Sequence, residues 1–387
     1  MEKVIKKGRV PLKLWLSDIE KGALEQAEHL AELPFSFKHV AIMPDAHQGY
    51  GMPIGGVLAL KDTVIPNAVG VDIGCGMCAL KTSQREIDKD RLQKIVDEIR
   101  KVIPTGFDHH KRDQDKKLMP QAGSENLPIV KKEYKNALRQ IGTLGGGNHF
   151  IEIQRDENGW LWIMIHSGSR NIGYKVANHY NKLAAKLNEK WKSPITRNWQ
   201  LAHLPLNSNE GQTYLDEMNY CIEFAFANRK LMMQRVKEIF SDQFPDIKFA
   251  EMINIAHNYA ALEKHFGQKV MIHRKGATRA FKNEYGIIPG SQGSASYIVR
   301  GKGNPESFMS CSHGAGRKMG RNEARRRLDL KKESEKLEKL GIIHALHSKR
   351  DLDEASGAYK DISEVIHNQL DLIDIETELK PLAVVKG

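Results

Sequence analysis

No run of about 18 apolar residues occurs in this chain, so no segment reads as a transmembrane helix. The first residues, Met1-Glu2-Lys3-Val4-Ile5-Lys6-Lys7, carry neither an apolar core nor a small-residue cleavage site. That predicts no secretory leader and a cytoplasmic protein. Cysteine is scarce: Cys75, Cys78, Cys221 and Cys311 are the 4 in 387 residues, too few for a disulfide framework. Cys75 and Cys78 form a C-x-x-C pair, but no second pair follows at zinc-ribbon spacing. The first of them sits in a glycine-rich turn, Asp72-Ile73-Gly74-Cys75-Gly76, so a thioredoxin-like dithiol is the minority reading. No internal repeat or low-complexity tract is present. Acidic residues are in deficit: 59 Lys and Arg face 48 Asp and Glu, a net charge of +11. The excess favours an anionic partner, of which nucleic acid is the usual one, although a basic soluble protein can show the same balance.

With 40% apolar and 28% charged residues, the composition is that of a soluble globular protein. The length permits a large core, in one elaborated domain or two. Residues 17–33 read as an amphipathic helix with Ser17 as N-cap, and 38–44 and 56–61 as short strands around a turn-rich Pro44-Asp45-Ala46-His47-Gln48-Gly49-Tyr50-Gly51. Residues 68–81 suggest strand, tight turn, strand. Residues 87–102 are helical by period, and 103–135 is a polar, basic excursion. Phe150–Ile153 and Trp160–Ile165 flank Asn158-Gly159, a favoured primed-turn pair. Such a hairpin brings the Asn148-His149 end close to His166. Helices are expected at 173–191 and 213–240, strands and turns over 268–300, and a charged helix at about 321–340. Residues 250–264, holding His257, read as helical. Strands and helices without regular β-α alternation predict an α+β fold, with central sheets and helices packed outside, in a single large mixed domain over 1–387.

Several short stretches place metal-capable, nucleophilic or cationic side chains beside small residues. A carboxylate and a thiolate three apart around Gly74, Asp72 and Cys75, can converge on one metal if the turn is tight. Thiolate with imidazole suits Zn, Mn, Fe or Co. His149 and His166 stand at paired strand ends beside Asn148 and Arg170. His257 precedes Asn258, and His265 is its competitor eight residues on. In Ser310-Cys311-Ser312-His313-Gly314-Ala315-Gly316-Arg317 small residues surround one imidazole, which can serve as base, ligand or nucleophile. Gly290-Ser291-Gln292-Gly293-Ser294-Ala295-Ser296 offers N–H groups and hydroxyls to phosphate. Lys386 follows an apolar Leu382-Ala383-Val384-Val385 able to dock as a strand. Each feature alone has an ordinary structural explanation; together they point to metal-assisted phosphate chemistry.

At these residues the chain resembles the RtcB family of RNA-splicing ligases. The resemblance rests on Gly70-Val71-Asp72-Ile73-Gly74-Cys75-Gly76-Met77, Gly142-Thr143-Leu144-Gly145-Gly146-Gly147-Asn148-His149-Phe150, the His313 segment, Ala358-Tyr359-Lys360-Asp361-Ile362 and Val385-Lys386-Gly387. It spans nearly the whole chain. It implies an RtcB-type fold and a GTP- and Mn²⁺-dependent enzyme of tRNA splicing or RNA repair. That enzyme joins an RNA 3′-phosphate or 2′,3′-cyclic phosphate end to a 5′-hydroxyl end. By carry-over, Asp72, Cys75 and His149 hold one Mn²⁺, and Cys75, His166 and His257 a second. His313 takes GMP from GTP. Lys386, Tyr359, Ser291, Ser296, Asn258, Asn148, Arg317 and Glu152 contact the guanylate, and Asn148 and Arg170 the RNA phosphate. An archease-like activator is a candidate partner. One departure stands out. The proline expected before Ala358 is missing from Asp353-Glu354-Ala355-Ser356-Gly357, which predicts a looser Tyr359 loop.

Two other classes compete with the ligase. One is a two-metal RNA-end phosphoesterase using the same Asp, Cys and His set without a covalent intermediate. The other is a non-catalytic RNA-binding protein. A hydrolase needs neither a guanylate pocket nor a nucleophilic His313, which sets the first two apart.

Overall fold

The computed structural model describes all residues except Ala122 and Gly123. The part of the expected excursion at 122–123 therefore lies outside the described residues. Two large sheets organise the chain. The first has six strands in the order Lys3–Ile5, Leu12–Leu14, Ser36–His47, Ile54–Leu60, Gln268–Lys275 and Asn258–His265. The second has seven, in the order Ile253–Ala256, Gly76–Lys81, Leu161–Ser167, Phe150–Asp156, Ile373–Lys386, Ser296–Gly301 and Tyr285–Ile288. Within them only Leu12–Leu14 against Ser36–His47 is parallel. Predominantly antiparallel pairing, with helices outside, makes this an α+β fold.

Local chemistry explains the clearest elements. Leu92, Ile95, Val96 and Ile99 recur at helical spacing along Lys89–Val102, and all four are buried. Asp88 caps that helix by accepting from the Arg91 N–H at 2.8 Å. The hairpin forms as expected, with Phe150 opposite His166 and Gly159 in the left-handed region at φ +87°. The two long helices run Arg170–Lys190 and Asn209–Gln243. The second lays Met232 and Phe240 into the core against the seven-stranded sheet, and Phe224 into a neighbouring cluster with Tyr180 and Met271.

Four expectations need correction. The first helix begins at Lys21, not near Ser17, and Glu20 at its N-cap uses its carboxylate on the Gln48 N–H instead. In 68–81 only the second strand, Gly76–Lys81, forms, because Pro66 starts a short 3-10 turn and Gly70 and Gly74 take positive φ. The charged helix breaks into Arg321–Arg327 and Leu330–Lys339, since Asp329 caps a new helix by accepting from the Lys332 N–H. Residues 250–264 are strands, not helix. Ile253 and Ile255 alternate with Asn254 along Gly76–Lys81, and His257 sits in the joint before Asn258–His265. No helix among the described residues is long and apolar enough to cross a membrane.

Candidate active site

The seven-stranded sheet gathers the site at one end of its strands. Gly76 pairs with Ser167, Phe150 with His166, and Lys386 with Phe150. Cys75, His149, His166 and Lys386 therefore stand side by side, although 311 positions separate the first from the last (Cys75 to Lys386). The six-stranded sheet supplies the opposite wall. His257-Asn258 opens one of its strands, and Ser310–Ser312, paired with Ala277–Arg279, delivers His313.

The turn bearing Cys75 is held from three sides. The Gly74 N–H donates to Asn258 O at 2.8 Å, and the Cys75 N–H to Asp72 O at 3.1 Å. Buried Arg229 donates Nη1 to Gly74 O at 3.0 Å and Ser167 O at 2.8 Å, and Nε to Asn254 Oδ1 at 2.7 Å. Two glycines permit the crowding. A Cβ on Gly76 would lie 2.0 Å from Ile255 O, and one on Gly168 would lie 2.2 Å from Asp72 Oδ1.

Around Cys75 Sγ stand His149 Nε2 at 3.4 Å and His166 Nε2 at 3.3 Å, with Asp72 Oδ2 3.1 Å from His149 Nε2. The Cys75, His149 and His166 ligand atoms lie within 4.8 Å of one another, all on buried residues. Each imidazole is oriented from behind. His149 Nδ1 meets Leu144 O at 3.0 Å and His166 Nδ1 meets Asn148 O at 3.1 Å, which fixes both rings with Nε2 toward the sulfur. Burial, then the neighbouring histidines, holds His166 well below the usual imidazole range. Burial, then His313 and His166, does the same to His257, whose Nδ1 is buried without a partner. These rings are neutral and ligand-competent. Burial and then Asp72 push the Cys75 thiol well up, so it needs a cation to ionise. Burial works to raise Asp72, but the His149 hydrogen bond and charge, with Arg170, outweigh it and hold the carboxyl low. Soft thiolate, neutral imidazoles and a carboxylate make a donor set that fits a transition-metal dication.

The cluster opens into a cavity of about 950 Å³ whose lining includes Asp72, Cys75, His166, His257, His313 and Lys386. The His257 and His313 ring centroids are 4.8 Å apart. His313 is fixed by Asp45: Nδ1 lies 2.6 Å from Asp45 Oδ2, and the His313 backbone N–H donates to the same oxygen at 3.1 Å. With Nδ1–H given to the carboxylate, Nε2 keeps its lone pair. At the other end of the cavity Glu354 collects the cations. Its Oε1 accepts from Arg317 Nη1 at 3.2 Å, and its Oε2 from Tyr359 OH at 2.5 Å and Lys386 Nζ at 3.1 Å. Burial opposes ionisation of Glu354, but Lys386 and Arg321 prevail and hold it at about 2. Burial raises Glu152 to about 8, against the pull of Gln154 and Lys386, so it is a neutral carboxylic acid at pH 7.

The sequence model of the tRNA-splicing ligase RtcB family matches residues 26–127 and 121–387. The chain is 37% identical to the RNA-splicing ligase RtcB of Escherichia coli (strain K12), over 97% of both chains. It is 32% identical to the tRNA-splicing ligase RtcB of Thermococcus kodakarensis, over 99% of this chain and 96% of that one. The chain belongs to the RtcB family.

In this RtcB-family chain most of the residues singled out in the sequence meet. Asn148, Glu152, Asn258, Ser291, Arg317 and Tyr359 also line the cavity. Ser296 stands behind it, its buried hydroxyl accepting from Gln154 Nε2 at 3.1 Å and the Gly290 N–H at 3.2 Å. Arg170 starts its helix at φ +60° and packs under Gly145, its Nη1 3.2 Å from His149 Nδ1. His265 does not compete with His257: it is spent on Glu263, 2.9 Å away. The Tyr359 loop, lacking its proline, is instead held by hydrogen bonds from Gly357 N–H to Glu333 Oε2 at 3.0 Å and from Tyr359 to Glu354. Asp45, Glu354 and Lys275 were missed. Asp45 carried one signal, a carboxylate in a motif with His47. Nothing in sequence marked the other two. Buried Lys275, lowered to about 7 by desolvation, donates to Tyr50 O at 2.6 Å and Asn67 O at 2.9 Å.

Proposed function

We propose that this chain is a GTP- and Mn²⁺-dependent RNA ligase that joins a 3′-phosphate or 2′,3′-cyclic phosphate end to a 5′-hydroxyl end. It acts as one RtcB-type unit over residues 1–387, in cytoplasmic tRNA splicing or RNA repair, with an archease-like protein as candidate activator. The observation that carries this reading is His313, whose Nδ1 is tied to Asp45 at 2.6 Å while the ring faces His257 across the same cavity as Cys75 and Lys386. A hydrolase with the same metal ligands has no use for so placed a nucleophile.

Asp72, Cys75 and His149 would hold one Mn²⁺, and Cys75, His166 and His257 the other. When bound, these ions supply neutralisation of the phosphate charge that builds up in each transfer. His313 Nε2 attacks the α-phosphorus of GTP; an N–P bond forms, and pyrophosphate leaves with the electrons of the broken P–O bond. Asp45 stabilises the positive ring that results. Arg317, Lys386, Tyr359, Ser291, Ser296, Asn148, Asn258 and Glu152 would contact the guanylate. Asn148 and Arg170 hold the RNA 3′-phosphate, one oxygen of which attacks the guanylate phosphorus, returning the N–P pair to Nε2. The 5′-hydroxyl oxygen then attacks the 3′-phosphate, its proton goes to solvent, and GMP leaves. A cyclic end is first opened by water.

The test is joining of two RNA ends by the purified protein with Mn²⁺ and GTP. The expected result is a joined strand that requires GTP. Phosphate release without joining, indifferent to GTP, would establish the phosphoesterase instead.

A further inference from the structure

A second groove, about 750 Å³, lies between the last turns of the helix Arg170–Lys190 and the segment that folds back over it at 192–202. Its wall is built rather than draped. Buried Asn188 donates Nδ2 to His203 O at 2.7 Å and accepts from the His203 N–H at 3.1 Å, which clasps the segment to the helix. Trp199 stacks on His29, ring centroids 4.5 Å apart, which fixes the far side.

The groove borders the cavity of His313: Asn67 lines both. Its Nδ2 donates to Gln200 O at 2.9 Å on the groove side, and its backbone oxygen accepts from Lys275 Nζ on the cavity side. Gly276, the next residue after Lys275, passes so close to His313 that a Cβ on it would lie 3.0 Å from Cε1. Lys275 and Asn67 thus stand between the nucleophile and the groove.

The chemistry of the lining is specific. Lys182, Lys192 and Arg197 face it against Glu189 alone, a positive balance. Amides of Asn181, Asn198 and Gln200 add paired donors and acceptors. Trp191, 43% exposed, falls in the chain between the lining residues Glu189 and Lys192, its ring centroid 6.4 Å from that of His203. Cations for a backbone, amides for base edges and an aromatic face for stacking are what an unpaired polynucleotide needs. An acidic peptide would use the cations but leave the amides and indole idle.

We propose that this groove is a binding channel for an unpaired stretch of one RNA strand leaving the reaction centre past Asn67. The proposal rests on the reading of the chain as an RNA ligase and adds where the strand travels. Lys182, Lys192 and Arg197 are phosphate contacts there, and Trp191 is a stacking face.

The test uses the full chain with single-stranded RNA carrying 4-thiouridine at successive positions back from the joined end. Ultraviolet cross-links mapped by mass spectrometry are expected within 181–202 for nucleotides away from the end. In the triple variant Lys182→Ala, Lys192→Ala, Arg197→Ala those cross-links are lost. The slope of log affinity against log salt becomes shallower by about 2. Glu189→Lys, which keeps the fold's contacts and adds a cation, steepens that slope. RNA that binds and is joined, yet cross-links only outside 181–202 with unchanged slopes, overturns the channel and leaves the ligase standing. A chain that binds no RNA overturns both.

Discussion

Replacing Asp45 by Asn changes no volume but reverses a hydrogen bond on which the account depends. The Asp45 carboxylate is wholly buried and accepts from both His313 Nδ1–H and the His313 backbone N–H. An Asn amide either presents its NH₂ to Nδ1, forcing the proton to Nε2 and removing the attacking lone pair, or keeps the tautomer with a neutral acceptor. In the second case the loss is the difference between a charge-assisted and a neutral hydrogen bond to the ring as it becomes positive. A bond to a charged group is worth roughly 1.5–3 kcal/mol and a neutral one roughly 0.5–1.5, a difference of about 1–1.5 kcal/mol. The rate of GMP transfer from GTP to His313 should therefore fall at least ~5-fold, and further where the amide forces the other tautomer. GTP binding should change little, because Asp45 faces the histidine and not the guanylate contacts. Rapid-quench measurement of protein-bound label gives the rate, and nitrogen-15 shifts of the His313 ring give the tautomer without any reaction. A folded Asn variant labelled at the parental rate would refute the reasoning.

Three further outcomes follow from the same geometry. Mn²⁺ at about 100 times its dissociation constant should stabilise the protein by ~2.7 kcal/mol. Cys75→Ala should abolish the rise in melting temperature; an equal rise in the variant would place the metal elsewhere. For Glu152, burial raises the folded-state value to about 8 from an ordinary 4.5, so the folded chain holds a proton that the unfolded chain releases. Stability is then lost as pH climbs from 4.5 toward 8 and levels off above. Glu152→Gln should remove that decline, gaining as much as ~5 kcal/mol relative to parent across the window in denaturant titrations, and a parallel pH profile would contradict this. Arg229→Met strips the Gly74 and Ser167 carbonyls of their buried donor and should cost about 2–5 kcal/mol, read as a lower denaturation midpoint.

The residues that gather around the cavity were more legible than the bounds of the elements that carry them. Glycine-flanked Cys75 and His313, and a histidine at each end of the Asn158-Gly159 hairpin, betray themselves because a core excludes such residues at such places. The hairpin pairing alone carries Asn148 to His166. His257 was misplaced on a helix because a short apolar stretch fits both periods, and pairing with Gly76–Lys81 decides between them. Ser17 lost its role because a tertiary partner, Gln48, defines where Glu20 and its helix begin. Asp45 and Glu354 were hidden for a deeper reason. Each acts through a contact made only after folding, Asp45 across 268 positions to His313 and Glu354 across 32 to Lys386, and no local pattern encodes which carboxylate will meet which partner.

The central claim is that His313 carries guanylate. The direct measurement is to mix the purified protein with Mn²⁺ and α-labelled GTP, quench, digest and locate the label by mass spectrometry under alkaline conditions. The account predicts an acid-labile label on the His313 peptide, absent from His313→Ala. Label on another residue, or none on metal-replete protein that still joins RNA ends, would contradict it.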